Sequence, residues 1–297
     1  MTQKVTALWD LNESCNLRCQ YCYHVMNGED WSHLQQPLDQ IQPIMETLRA
    51  AGVTRLYFVG GEPFLRKDLG AIAGEAKRLG FETSITTNGT VLPRYRDAQL
   101  MQLFDLVEVS LDSLDPSYMA EIRTVRKVGT IQEAITHLVH AGHRVQVLAV
   151  ANKLNVQDLP NLVDWCRSVG VTRLKIQPIY LPSENRNAAR LPLAEADLHA
   201  LRSYANEIYE PQTGVQRYYE YVVECANGAA RTHLCNAFSR FIYVTATGQL
   251  QRCPSLSASL TKQPPLLHEE AHSCNSMTLD CLCVYSLIEG FDFVLKQ

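Results

Sequence analysis

The chain has no long apolar run, no block of like charge and no low-complexity tract. A membrane-spanning helix needs roughly 18 or more consecutive apolar residues, and no stretch approaches that length. Lys and Arg occur singly or in pairs such as Arg66-Lys67 and Lys77-Arg78, and the formal net charge is −4. Nucleic-acid binding would call for a basic stripe, so a nucleic-acid partner is not expected. The opening MTQKVTALWD lacks the apolar core and small-residue cleavage site of a secretion signal. These absences point to a cytoplasmic chain with no membrane partner. What is present, 297 residues of which 46% are hydrophobic, suffices for one large domain or two unequal ones.

Also missing is a fourth cysteine beside the three that open the chain. Cys15, Cys19 and Cys22 lie in SCNLRCQYCYH, and the next cysteine is Cys166. Ten cysteines are too few for a disulfide scaffold of this size. After Cys166 they resume late, at Cys225, Cys235, Cys253, Cys274, Cys281 and Cys283. Two groups of thiols, one near each end of the chain, suggest two metal centres. A structural zinc site wants four ligands, commonly two close C-x-x-C pairs. The first group offers three, which leaves one coordination position open. Three unligated thiols in a polar loop would also bury poorly.

Between the groups, strands and helices alternate. KVTALWD reads as a short strand leading into the cysteine loop. Leu38, Ile41, Met45 and Leu48 recur at helical spacing before Gly52. The run 53–59 reads as a buried strand ending at Gly60-Gly61, and a helix over 67–79 stops at Gly80. FETSITTNG and DLVEVSLD follow as strands. Thr130-Ile131-Gln132-Glu133 fits a capping box for a helix ending at Gly142. HRVQVLAV, a helix closed by Gly170, and VTRLKIQPIYL complete the series, with GVTRLYF echoed by GVTRLKI. Strands apolar on both faces that alternate with helices imply a parallel sheet, open or curled. Such enzymes place their chemistry at the strand C-terminal ends. The cysteine loop, GGEP, TTNG and SLDS all fall there. PLAEADLHALRSYANEIYE reads as one amphipathic helix. VQRYYEYVVEC and SRFIYVTATGQLQRC beyond it look β-like, and a domain boundary is placed at 210.

C-x-x-x-C-x-aromatic-C directly after the first strand, joined to Gly60-Gly61-Glu62-Pro63 after the second, resembles the radical S-adenosylmethionine (SAM) superfamily. The resemblance covers roughly residues 4–180. It implies a partial (β/α)6 barrel, an α/β fold, over 1–210. It further implies a [4Fe-4S] cluster on Cys15, Cys19 and Cys22, with SAM at the open iron. Gly60, Gly61, Glu62 and Pro63 would contact the SAM amino group. Thr87, Asn88 (with Gly89), Ser110 and Asp112 would border the site, Arg123 (or else Arg126) would hold the SAM carboxylate, and Tyr21 would pack near the adenine.

Cys235-x12-Gly248-x4-Cys253 resembles the opening of the SPASM and twitch auxiliary-cluster domains. That implies a small cysteine-rich β-hairpin-plus-helix domain over 211–297 and a second [4Fe-4S] cluster on Cys235, Cys253, Cys281 and Cys283. The glycine suits a tight hairpin turn. Only Cys274-x6-Cys281-x1-Cys283 follows, which favours a single extra cluster. A zinc site in the tail is the rival metal. Cys225 or Cys274, left unligated, could donate a hydrogen atom to a substrate radical; either could instead be a small buried hydrophobe.

The expected function is radical oxidation, crosslinking or epimerisation of a C–H position in natural-product maturation, with a ribosomal peptide as lead substrate. The alternative is a carbinol or aminosugar dehydrogenase or epimerase in antibiotic biosynthesis. A reductant such as flavodoxin or ferredoxin would serve as partner. The chain opens at its first strand, so a peptide-recognition domain would be a separate chain. A non-catalytic iron–sulfur carrier would leave GGEP without a purpose. The acidic balance weighs against RNA modification.

Overall fold

The computed structural model describes residues 5–22, 34–92, 99–179, 181, 185–226, 240–253, 256–259 and 292–296. Each apolar run of the alternating series becomes a strand: β1 Thr6–Asp10, β2 Arg55–Val59, β3 Glu82–Thr87, β4 Leu106–Ser110, β5 Val145–Ala151 and β6 Arg173–Pro178. Helices α1 Leu38–Ala50, α2 Leu69–Arg78, α3 Pro116–Arg123, α4 Val128–His140 and α5 Leu159–Ser168 intervene. The strands lie parallel in sequence order, each paired with the one before it. The α/β parallel sheet read from the sequence is therefore present.

The helix-stop glycines work as a repeated device. After α1, the N–H of Val53 bonds back to Leu48 O at 3.0 Å, across Gly52 at φ 86°. Phe81 to Ala76, His143 to Leu138 and Val171 to Cys166 repeat that closure. Only glycine takes the left-handed turn without steric cost, so each helix is returned to the sheet at one residue.

One face of the sheet is apolar and covered. Ile85, Val107, Val109, Val147, Ala149, Leu174 and Ile176 join Ile72, Ile131, Ile135, Leu138, Leu162 and Cys166 of the helices in one buried cluster. Side chains on the opposite face alternate with these. There Glu108 accepts hydrogen bonds from Thr86 Oγ1 at 2.9 Å and Gln146 Nε2 at 2.6 Å.

Two expectations are corrected. The α4 helix begins at Val128, with Lys127 as an N-cap that makes no side-chain bond, so Thr130 lies inside the first turn rather than capping it. VQRYYEYVVEC is not β-like but forms α7, Val215–Ala226. Val215, Tyr218, Tyr219 and Val222 are buried at helical spacing; the aromatic and β-branched content imitates a strand while the period is that of a helix. α6, Glu195–Ile208, forms as expected, with the Ala194 N–H donating to Asp197 Oδ2 at 3.0 Å.

Beyond residue 210 the chain adds to the same sheet. β7 Phe241–Val244 pairs parallel with β1, and β8 Leu250–Cys253 and β9 Leu256–Ser259 continue antiparallel. The nine-stranded order is β6-β5-β4-β3-β2-β1-β7-β8-β9. Gly248 turns the β7–β8 hairpin at φ 78°, with its N–H bonded to Thr245 O at 2.8 Å. Residues 292–296 close the opposite flank: Leu174 N–H donates to Phe293 O at 3.1 Å and Leu295 N–H to Thr172 O at 2.9 Å. Among the described residues no helix is long and apolar enough to cross a membrane.

Candidate active site

The cysteine loop leaves β1 and is seated against the end of β2. Gly61 N–H donates to Asn12 O at 2.7 Å and Glu62 N–H to Ser14 O at 2.8 Å. A Cβ at Gly60 would stand 2.3 Å from Asn12 O, and one at Gly61 2.2 Å from Ser14 O. The glycine pair is thus first a requirement of backbone approach, since a backbone oxygen cannot yield as a flexible side chain can. Asn12 Nδ2 adds bonds to Ser14 O at 3.2 Å and Glu62 O at 3.1 Å.

Glu62 is fully buried. Its carboxylate accepts from Phe64 N–H at 3.1 Å, Thr87 Oγ1 at 2.8 Å and Asn88 N–H at 2.7 Å. Burial pushes its pKa up to about 7 against the opposing pull of those donors. Pro63 opens a short 3-10 turn, Pro63–Leu65, which Glu62 caps. Asn88 then reaches the loop itself: its Nδ2 donates to Asn16 Oδ1 at 2.9 Å and to Cys15 Sγ at 3.8 Å. Leu17 N–H also points at Cys15 Sγ, at 3.4 Å. Burial raises the Cys15 thiol to about 11.

The loop's far side docks on the C-terminal end of α3. Gln20 N–H donates to Ile122 O at 2.8 Å, Gln20 Nε2 to Glu121 O at 2.8 Å, and the Cys19 thiol to Arg123 O at 3.8 Å. These are carbonyls that a helix end leaves without partners of its own. Thr124, left-handed at φ 59°, accepts from Arg18 N–H through Oγ1 at 2.9 Å. Asp112, beyond β4, gathers the rest. It accepts from Arg123 Nη1 at 3.2 Å, from Val150 N–H at 3.1 Å and from the Tyr21 hydroxyl. Burial disfavours the Arg123 charge, but the Asp112 carboxylate bonded to its Nη1 favours it, and the net direction is upward. Its Nε is buried without a hydrogen-bond partner among the described residues.

The structure therefore brings together, at the ends of β1 to β4, Cys15, Cys19, Cys22, Tyr21, Gly60, Gly61, Glu62, Pro63, Thr87, Asn88, Asp112 and Arg123. Ser110 closes β4 nearby and is buried. Arg126, the alternative to Arg123, is exposed. Tyr21, expected beside an adenine, is tied by its hydroxyl to Asp112. Asn12, Arg66 and Thr124 escaped the sequence reading, since nothing but their tertiary contacts marks them. Cys225 lies in α7 and Cys253 ends β8; Cys235, Cys274, Cys281 and Cys283 lie outside the described residues.

Among the described residues no three Cys, His, Asp or Glu side chains converge to metal-holding distance. The donor set nonetheless suits an iron–sulfur cluster with an organic anion beside it. Three soft thiols share one loop, N–H groups are aimed at Cys15, and the Arg123 Nε awaits an acceptor.

A parallel α/β sheet that carries a three-cysteine loop after its first strand and a Gly-Gly-Glu-Pro turn after its second defines a class of radical enzyme. A profile described as the Radical SAM superfamily matches residues 11–186, and the chain belongs to that superfamily. The family implies a [4Fe-4S] cluster and SAM, and it makes the chain an enzyme. The chain is 29% identical to a GTP 3′,8-cyclase of Nitrobacter hamburgensis, over 97% of this chain and 87% of the relative. It is 30% identical to a probable GTP 3′,8-cyclase of Sulfurisphaera tokodaii, over 82% and 79%. Its fold is similar to a crystal structure of Streptococcus suis SuiB bound to S-adenosylmethionine, with a TM-score of 0.68, 18% identity, and 97% and 68% of the two chains covered. Native anSMEcpe with bound AdoMet gives a TM-score of 0.64 at 14% identity, covering 85% and 75%.

Proposed function

We propose that this enzyme cleaves SAM reductively and removes a hydrogen atom from an unactivated C–H bond of a peptide, or of a small polar molecule, during natural-product maturation. Cys15, Cys19 and Cys22 would hold the cluster, which with SAM and one electron from the reductant would supply a 5′-deoxyadenosyl radical. The chain's own residues orient and shelter it. Arg123 offers its buried Nε to the SAM carboxylate while Asp112 fixes the guanidinium. Gly60 to Pro63 present backbone to the amino group, and Thr87, Asn88 and Ser110 line the neighbouring strand ends. The observation that carries this reading is the buried Arg123 guanidinium, whose Nη1 is held by Asp112 at 3.2 Å while its Nε has no hydrogen-bond partner among the described residues. Anaerobically reconstituted protein given SAM and dithionite should release 5′-deoxyadenosine; intact SAM after prolonged incubation would end the proposal.

The helix-free face of the sheet bears on the substrate. By register it carries Asp10, Glu82, Glu108 and the cations Arg55, Arg173 and Lys175. Arg55 is bonded to Glu82 at 3.0 Å and Arg173 to Asp292 at 2.8 Å, as Arg123 is to Asp112. Among the described residues the cations of this face do not outnumber its carboxylates, and that balance favours a peptide or aminosugar over a nucleoside triphosphate. A nucleotide is the second reading, favoured by relatives named GTP 3′,8-cyclase that match most of the chain. Incubation with GTP, and separately with short peptides encoded beside the gene, distinguishes them by which one is converted, read by chromatographic retention and mass; on a peptide a loss of about 2 Da marks oxidation, whereas epimerisation leaves the mass unchanged in water and adds about 1 Da in deuterated water.

We further assign a second cluster to Cys235, Cys253, Cys281 and Cys283 in an auxiliary unit over 211–297, with Cys225 or Cys274 as hydrogen donor. The Gly248 turn supports it by leading into the hairpin strand that ends at Cys253. About eight irons per chain are expected, and about four with one zinc would remove that cluster.

A further inference from the structure

The segment after Gly60-Gly61 does more than approach a cofactor. Three residues past Pro63 stands Arg66, whose side chain is fully buried. Its Nη1 donates to Leu11 O at 2.7 Å and its Nη2 to Gln36 O at 2.9 Å. Its Nε and Nη2 also grip the two oxygens of Asp68, at 2.9 and 2.7 Å. Leu11 stands where the cysteine loop departs and Gln36 where the chain comes back before α1. The same two stems are bridged at Asn12 and Gln35, and Glu13 N–H donates to Leu34 O at 3.0 Å.

We propose that Arg66 is a positioning residue that clasps both stems of the cysteine loop and so sets where Cys15, Cys19 and Cys22 stand before iron arrives. Guanidinium geometry is what the task requires. A rigid fork can serve two carbonyls on different segments while its remaining edge is held by one carboxylate; a lysine ammonium has no fixed fork. Asp68 serves as the anchor, and its bonds to Arg66 hold its carboxyl below the ordinary range. The carbonyls of Leu11 and Gln36 lie in a buried setting, where losing a charged donor strands them. The clasp sits at the stem and the α3 carbonyls at the far side, so the loop is fixed at both ends. The bonds of Arg66 go to Leu11, Gln36 and Asp68 and to no thiol of the loop, which is why the residue positions rather than ligates.

The bearing on iron rests on the three thiols being the cluster ligands, as proposed above, and the test separates the two ideas. Amide hydrogen exchange is followed in the full-length chain, kept anaerobic and stripped of iron, for the wild type, Arg66→Lys and Asp68→Asn. The clasp predicts that Glu13, Gly61 and Glu62 amides exchange about tenfold to a hundredfold faster in Arg66→Lys, the loss expected for one or two buried charged hydrogen bonds. Amides in the β5–β6 ladder should be unchanged, and Asp68→Asn should fall between. After reconstitution, Arg66→Lys should hold less iron and show a broadened signal from the reduced cluster, neither of which a remote packing defect would produce. Uniform acceleration across the chain, or none at the stems, overturns the clasp; if Arg66→Lys does not fold, the stem amides of Asp68→Asn decide. Wild-type protein that binds no iron while its stems stay protected would instead remove the cluster reading and leave the clasp standing.

Discussion

Where β1, β2 and β3 finish, segments are joined by groups that point. Glu62 ties β2 to β3, Asn88 ties β3 to the cysteine loop, and Arg66 ties both stems of that loop to the turn after β2. Along β6, at the far flank, the joining groups are rings. Tyr209 stacks on Tyr219 with centroids 6.0 Å apart, and Phe293 meets Tyr209 edge-on at 5.8 Å and Tyr218 at 5.5 Å. Two hydroxyls reach in from this cluster to carbonyls of the edge strand, Tyr209 to Leu174 O at 2.9 Å and Tyr219 to Ile176 O at 2.7 Å. An exposed edge strand invites pairing with other chains, and an apolar plug with two polar tips closes it. Directional bonds sit where thiols must be placed; aromatic burial sits where an edge need only be covered.

Cys19→Ser should break that comparison most sharply. It should reduce 5′-deoxyadenosine formation below detection and remove about four irons per chain. The melting temperature of the metal-free protein should hardly move, since the loop docks on α3 chiefly through Gln20 and a serine hydroxyl keeps a donor toward Arg123 O. Measurable 5′-deoxyadenosine from the variant would contradict the assignment of the loop. Phe293→Ala is the complementary lesion. It should cost about 3–5 kcal/mol of stability, as large-to-small changes at buried aromatics do, read by denaturant unfolding. The iron content of whatever folds should stay at the wild-type level. An iron loss that parallels the loss of stability would mean that the two regions are not independent.

What was legible divides along the same line. The strand–helix alternation and the stops at Gly52, Gly80, Gly142 and Gly170 are local signals, one period and one conformational need, and they were readable in order. GGEP and the cysteine spacing were readable as a pair. Arg66 was not, because an arginine after a turn carries no sign that two distant carbonyls await it. Thr124 is hidden in the same way, since it closes α3 in the left-handed conformation, with Val125 N–H bonded to Met119 O at 2.9 Å, where a glycine would ordinarily signal the stop. α7 was misread because Tyr and Val are strand-rich types placed at helical intervals. The strap at 292–296 rests on isolated bridges to β6 and to Tyr209, which a periodic pattern cannot announce.

Glu62 offers a smaller test through pH. Burial pushes its pKa up to about 7 in the fold, above the ordinary carboxylate value of 4.5. Between those values the folded chain keeps a proton that the unfolded chain has lost, so this group's contribution falls as pH rises from about 4.5 to 7. The limit is about 3 kcal/mol at 1.36 kcal/mol per pKa unit. Unfolding of the metal-free protein at pH 5.5 and pH 8 should show the decline, and Glu62→Gln should lack it. Equal slopes in the two proteins would mean that the carboxylate is charged in the fold throughout.

The smallest expected effect probes the seam between the pointing region and the hairpin. Gly248→Ala asks alanine to take φ 78°, and its Cβ would meet Gln36 Nε2 at 2.6 Å and Ile44 Cδ1 at 2.7 Å. Both are far ends of flexible side chains, so they can move aside; the left-handed backbone then costs about 1–2 kcal/mol. Gln36 is also the residue whose carbonyl Arg66 holds. If only its side chain yields, the melting temperature drops by a few degrees and reconstituted iron is unchanged, because the clasp grips the backbone. A fall in iron with so small a loss of stability would show that the hairpin turn presses on the stem of the cysteine loop, and that the two regions share one mechanical joint at Gln36.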